Sequence, residues 1–256
     1  SYYDDTSRDL KVAHCSDTDC TTATITALDS TGLVGYYTSI TIGADGLGLI
    51  SYWDATSKNL KVAHCSNTNC TSATITALDE TGDVGEYTSM TIGADGLGLI
   101  SYYDNTSDDL KVAHCSDTNC TSATITTLDS TDDVGRYSSI TIGADGLGLI
   151  SYSDETSRDL KVAHCSNTDC TTATITALDS TGLVGYYTSI TIGADGLGLI
   201  SYYDATSDDL KVAHCSDTDC TTATITTLDE AGNVGFLTSI TIGADGLGLI
   251  SYYDWD

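Results

Sequence analysis

The chain has 256 residues, of which 37 are acidic and 9 are basic, for a formal net charge of −28. A surface this negative repels nucleic acid and anionic membranes, whose phosphates must be neutralised by basic side chains. No apolar run reaches membrane-spanning length, so neither a nucleic-acid partner nor membrane insertion is expected.

From Ser1 the chain reads as a short strand end, Ser1-Tyr2-Tyr3-Asp4, followed by a polar turn, Asp5-Thr6-Ser7-Arg8-Asp9. Residues 10–15 form the next expected strand, and a loop through Asp17, Thr18 and Asp19 leads to another over residues 23–28, rich in Thr and Ile. Asp29 to Gly35 is the longest connection. Ser39-Ile40-Thr41-Ile42 then alternates polar and apolar residues as a half-buried strand does, and Asp45-Gly46 supplies a tight turn into Leu49-Ile50-Ser51-Tyr52-Trp53. The pattern repeats every fifty residues, with the hairpin ending at Asp54, Asp104, Asp154, Asp204 and Asp254. No segment has a helical period. The chain is all-β with four short strands per repeat, and copies this alike point to recent amplification or deliberate repetition.

Four antiparallel strands in a unit of about 40–50 residues match the blade of a β-propeller. Within a blade the innermost strand is expected at 39–43, followed outward by 47–54, 60–65 and 73–78. The order Ser-Ile-Thr-Ile-Gly-Ala-Asp-Gly, Leu-Ile-Ser-Tyr-Tyr-Asp, Asp-Leu-Lys-Val resembles the inner strands of NHL-type blades, and the blade number is similar to that of the five-bladed tachylectin-type lectins. The expected fold is therefore one domain, 1–256, a five-bladed β-propeller. Its blades fall at about 36–79, 86–129, 136–179, 186–229, and a last one shared between 236–256 and 1–29. Sharing that blade between the two ends would close the ring and cover strand edges that are otherwise a liability. Ser1–Asp4 and Ser251–Asp254 are copies of one strand end, and a closed ring has room for one of them. The spare copy is expected to be a loose tail on a monomer, with strand exchange between molecules as the other course.

Ten cysteines fall in pairs at one spacing: Cys15 and Cys20, Cys65 and Cys70, Cys115 and Cys120, Cys165 and Cys170, Cys215 and Cys220. An even count at fixed spacing reads as a disulfide framework, which places the protein outside the cell or on its surface. A metal site from His14, Cys15 and Cys20 is disfavoured, because adjacent strand residues point to opposite faces. Asp4, Asp5, Asp17 and Asp19 put oxygens close together, but calcium needs six to eight ligands and no calcium-loop motif is present. Turn capping explains these residues better, so no metal and no cofactor is expected. His14 and its copies are read as packed or hydrogen-bonded between blades. Lys11 and its copies are read as salt-bridged to the carboxylate of Asp4 or Asp54 type.

Differences between the copies concentrate in two places. The connection between repeats carries Leu33, Asp83, Asp133, Leu183 and Asn233, together with Tyr36, Glu86, Arg136, Tyr186 and Phe236. The turn after the second strand varies at positions such as Asp5, Ala55 and Glu155, or Arg8, Lys58 and Asp108. In a meander both connections emerge on one face of the ring. Either that face is merely exposed and tolerant, or it is a recognition surface borne on loops. In the second reading Tyr36, Trp53, Glu86, Arg136, Tyr186 and Phe236 are the candidate ligand contacts. The expected function is a non-catalytic extracellular binding or display module, lectin-like, with a carbohydrate or a protein surface as ligand. The alternative is a symmetric structural scaffold. An enzyme is not expected, because propeller active sites need unlike residues near the axis and the inner strand reads the same in every blade.

Overall fold

The computed structural model describes residues 1–255. All regular elements among them are strands, in antiparallel sheets wound consecutively along the chain. The protein is an all-β, five-bladed propeller.

The N-terminal sheet contains β1 (Tyr2–Asp4), β2 (Asp9–Cys15) and β3 (Ala23–Asp29). Four complete four-stranded blades follow. The first comprises β4 (Val34–Ile42), β5 (Gly48–Asp54), β6 (Asn59–Cys65) and β7 (Ala73–Asp79). The second comprises β8 (Val84–Ile92), β9 (Gly98–Asp104), β10 (Asp109–Cys115) and β11 (Ala123–Asp129). In the third are β12 (Val134–Ile142), β13 (Gly148–Asp154), β14 (Asp159–Cys165) and β15 (Ala173–Asp179). The fourth has β16 (Tyr186–Ile192), β17 (Gly198–Asp204), β18 (Asp209–Cys215) and β19 (Ala223–Asp229). The hairpin of β20 (Val234–Ile242) and β21 (Gly248–Asp254) ends the series. Each inner strand packs beside the next, from β4 through β8, β12 and β16 to β20.

Apolar alternation along the strands fills the space between blades. Leu99, Leu110 and Val112 of one blade meet Ile150, Tyr152 and Ala163 of the next, all buried. Across each hairpin the copies of Lys11 reach the expected carboxylates: Lys111 Nζ lies 2.5 Å from Asp104 and Lys161 Nζ 2.6 Å from Asp154. Disulfides close the turn between the third and fourth strands of each repeat, as in Cys115–Cys120 with Cα atoms 4.8 Å apart. Such a cross-link suits an oxidising, extracellular setting.

The chain ends form two separate ladders, β20–β21 and β1–β3, and not one continuous sheet, and Ile40 of β4 is left 45% exposed where its copies Ile140 and Ile190 are 6% exposed. The spare strand copy is also not a loose tail. Tyr2, Tyr3 and Asp4 pair with Lys11, Leu10 and Asp9, and Lys11 reaches the Asp4 carboxylate. Because β1 holds that edge of β2, the equivalent edge of β21 has no ladder partner among the described residues, and Leu249 is 67% exposed where its copies Leu99 and Leu149 are fully buried.

Candidate functional site

The inner strands begin earlier than the sequence suggests. In β4 the ladder to β5 starts at Val34 opposite Asp54 and skips twice, between Val34 and Tyr36 and between Tyr36 and Ser39. Gly35 and Tyr37 take positive φ, +99° and +51°, to make these bulges. Bulges re-aim side chains. Here they turn position 37 of every blade toward the axis, with Tyr87, Tyr137, Tyr187 and Leu237 adopting the same left-handed backbone. The rings of Tyr37, Tyr87, Tyr137 and Tyr187 follow one another at 4.4–4.6 Å between centroids. They form a collar around an open depression of about 260 Å³, with Thr38, Thr88, Ser138, Thr188 and Thr238 behind them. Those hydroxyls are tied between blades, as where Ser138 donates to the Tyr87 carbonyl at 3.0 Å.

Position 36 therefore lies on the inner strand beside this collar and not in a loop. Tyr36, Glu86, Arg136 and Phe236 all sit within inner strands β4, β8, β12 and β20, and Tyr186 opens β16. Unlike residues thus stand on the inner strands beside the collar, while the depression itself is lined by positions 37 and 38 of each blade.

The two variable regions do meet on one face. The Leu33 amide donates to Thr56 Oγ1 at 2.7 Å, and Lys58 Nζ pairs with Asp83 at 2.7 Å. The richest cluster surrounds Tyr103, the cross-strand neighbour of Glu86. Its hydroxyl donates to Asp108 Oδ1 at 2.6 Å or Asp133 Oδ1 at 2.9 Å. Arg136 Nε lies 3.2 Å from Asp133 Oδ1, and its guanidinium stands 4.7 Å above the Tyr103 ring. Burial, reinforced by the negative charge of Asp83, raises the Glu86 carboxyl above its ordinary range, and Arg136 and Lys58 offset this only in part. Tyr186 donates to Glu155 Oε2 at 3.0 Å, and burial together with that carboxylate pushes the phenol up to about 12.

Tyr36 stacks on Tyr3 at 3.9 Å and meets Trp53 edge-on at 5.8 Å. Phe236 lies 4.2 Å from Tyr203 and joins Tyr187, Leu237, Tyr253 and Trp255 in a second, mainly apolar cleft of about 430 Å³. Among the described residues, two buried side-chain atoms lack a hydrogen-bond partner, Trp53 Nε1 and Asp83 Oδ1, and both belong to this face. Sequence reading named Tyr36, Trp53, Glu86, Arg136, Tyr186 and Phe236. It missed Tyr37 and its copies, whose role depends on a bulge that a strand-alternation reading passes over. Tyr103, which neighbours Glu86 and Arg136, was missed as well, and Asp133 was read only as a variable position of the connection between repeats.

No protein-family model matches the chain, and no curated protein sequence does. Solved structures do share its architecture. The α-L-arabinanase of Penicillium chrysogenum, complexed with arabinobiose, aligns at a TM-score of 0.60 with 12% identity, over 84% of this chain and 74% of that one. An α-L-arabinofuranosidase from Lactobacillus brevis aligns at 0.53 with 12% identity, over 85% of this chain and 82% of the other. The Dos1 propeller aligns at 0.57 with 13% identity, over 92% and 57%. Likeness at this identity speaks for the propeller fold. The expectation of a non-catalytic module or inert scaffold, and of no enzyme, is corrected on two counts. Glycosidases share the architecture, and the inner strands carry unlike residues beside the collar.

Proposed function

We propose that this propeller is a secreted glycoside hydrolase that cleaves neutral glycans at the collar of the axial depression. The observation that carries the reading is the pair of carboxyl groups flanking Tyr103. Glu86 lies opposite Tyr103 in the β8–β9 ladder and is raised by burial and by Asp83, while Asp133 accepts from the Tyr103 hydroxyl and is held by Arg136. Glycoside hydrolysis uses two carboxyl groups in different states, one protonated to donate to the leaving oxygen and one ionised. Glu86 is the proton donor in this assignment. Asp133 is the carboxylate, held by the guanidinium and oriented by the phenol.

The surrounding residues suit a sugar. The collar tyrosines, Trp53 and the cleft around Phe236 offer flat apolar faces with polar edges, which match the faces and hydroxyls of a pyranose or furanose ring. Buried Trp53 Nε1 and Asp83 Oδ1 are an unused donor and an unused acceptor that substrate hydroxyls can satisfy. The net charge of −28 disfavours polyanionic glycans and leaves neutral ones. Arabino-oligosaccharides head the panel, since the aligned structures include an arabinanase and an arabinofuranosidase. Incubation with neutral oligosaccharides, read by chromatography of the products, tests the reading. Wild type is expected to release shorter sugars and Asp133→Asn to release essentially none. No cleavage across arabinans, galactans, xylans and glucans would overturn it.

A further inference from the structure

At the opposite, nearly uniform end of the blades, His64, His114, His164 and His214 each meet the Asp-Gly turn of their own hairpin. Nε2 of His114 lies 2.8 Å from Asp95 Oδ2, and Nε2 of His164 lies 2.8 Å from Asp145 Oδ2. Both histidines are buried, each 8% exposed. A carboxylate can only accept, so this contact fixes the proton of a neutral ring on Nε2 and leaves a lone pair on Nδ1. That lone pair faces a second carboxylate from the disulfide loop of the following blade. Asp169 Oδ1 is 4.0 Å from His114 Nδ1, and Asp219 Oδ1 is 3.8 Å from His164 Nδ1. Two Lewis bases facing each other at that separation are too far apart for a hydrogen bond. Tetrahedral zinc with nitrogen and oxygen ligands at about 2.0–2.2 Å keeps them about 3.4 Å apart, so the exposed carboxylate closes by about 0.5 Å to share an ion with the ring.

We infer that these inter-blade pockets are binding sites for a first-row transition ion of the zinc type, ligated by Nδ1 of the histidine and by the carboxylate of the next blade. Asp95 and Asp145 take the part of the outer carboxylate that orients a metal-bound imidazole through its other nitrogen. Imidazole with a carboxylate favours zinc, copper or nickel over calcium or magnesium, which prefer all-oxygen sites. Side chains of Asp169 and Asp219 are 58% and 57% exposed, so water can complete the coordination shell and the ion can enter without unfolding.

The one variation in the disulfide loop, Asp against Asn, gains a meaning from this. His114 and His164 face Asp169 and Asp219, while the same offset from His64 falls on Asn119. His64 keeps its 2.8 Å contact with Asp45, so that interface has the oriented ring but an amide in place of the second ligand. The chain thereby carries its own control.

Titration of the intact, oxidised protein with zinc chloride, followed by isothermal calorimetry and by melting temperature, tests the inference. Wild type is expected to take up two zinc ions with a raised melting temperature. Asp169→Asn with Asp219→Asn should abolish that uptake, and Asn119→Asp should raise it to three. Asn and Asp both occupy this loop position among the copies of the repeat, so all three proteins are expected to fold, and disulfide count and circular dichroism check it. Calcium in tenfold excess should not displace the zinc. No zinc uptake by wild type, or uptake that ignores the Asp-to-Asn changes or yields to calcium, would overturn the inference. This test reads neither Glu86 nor glycan cleavage, so its failure leaves the functional proposal standing.

Discussion

The hydroxyl of Tyr102 donates a 2.9 Å hydrogen bond to Asp79 Oδ2 across the boundary between two blades. Both side chains are buried, and the relationship recurs in Tyr52 with Asp29, Tyr152 with Asp129 and Tyr202 with Asp179. The fourth strand of one blade is thus latched to the second strand of the next at every internal boundary.

Removing the latch should cost stability without changing the blade. Tyr102→Phe keeps the ring but leaves the Asp79 carboxylate short of a donor, for an expected loss of about 1–3 kcal/mol. Lys111→Met leaves Asp104, whose side chain is 3% exposed, as an uncompensated buried charge, with an expected loss of about 3 kcal/mol. Urea denaturation of the two variants checks both values and their order.

The same groups set the pH range of the fold. Although burial alone would push them up, the lysine ammonium and the turn hydroxyl and amide donors hold Asp54, Asp104, Asp154 and Asp204 below the ordinary carboxylate value of 3.8. The unfolded chain therefore takes up protons first as pH falls, and stability is lost through the range below 3.8. On the alkaline side, burial and the neighbouring carboxylates raise Tyr52, Tyr102, Tyr152 and Tyr202 well above the ordinary value of 10.0. Their stabilisation is complete below that value and declines above it as the unfolded chain ionises. Ultraviolet titration should show these phenols ionising only with loss of the fold.

The axial collar depends on the backbone as much as on the rings. A Cβ built on Gly135, at φ +105°, would stand 2.7 Å from the Leu110 Cα of the preceding blade. Gly135→Ala is expected to cost more than about 2 kcal/mol, because it combines a forbidden contact with a left-handed backbone. Since Gly135 precedes Arg136, the variant should also weaken saccharide affinity. A melt together with a binding titration separates the two effects.

Five short disulfides should contribute unequally to refolding and little to shape. A loop this small is worth about 2 kcal/mol on the chain-entropy view. Cys115 and Cys120 are fully buried, whereas Cys15 and Cys20 are exposed. Mild reductant should therefore open Cys15–Cys20 first, as mass spectrometry after alkylation can show.

Periodicity made the strands, the blade and the lysine bridges legible, because alternation and turn chemistry are local properties. The inner strand was placed five residues late, at Ser39 instead of Val34, because two bulges break alternation around Tyr36 and Tyr37. That displacement moved Glu86 and Arg136 into a loop and hid the collar. The partners of Tyr102 and His114 lie 23 and 55 residues away in adjacent blades, so only the ring geometry reveals them.

The central claim is that Glu86 delivers the proton in glycan cleavage. Its most direct test is the pH profile of kcat/KM on the best neutral oligosaccharide, measured for wild type and for Glu86→Gln. The account predicts an alkaline limb above the ordinary carboxylate range in wild type and a fall of at least about 100-fold in the variant. Wild-type rates in Glu86→Gln, or an alkaline limb at the ordinary glutamate value, would contradict it.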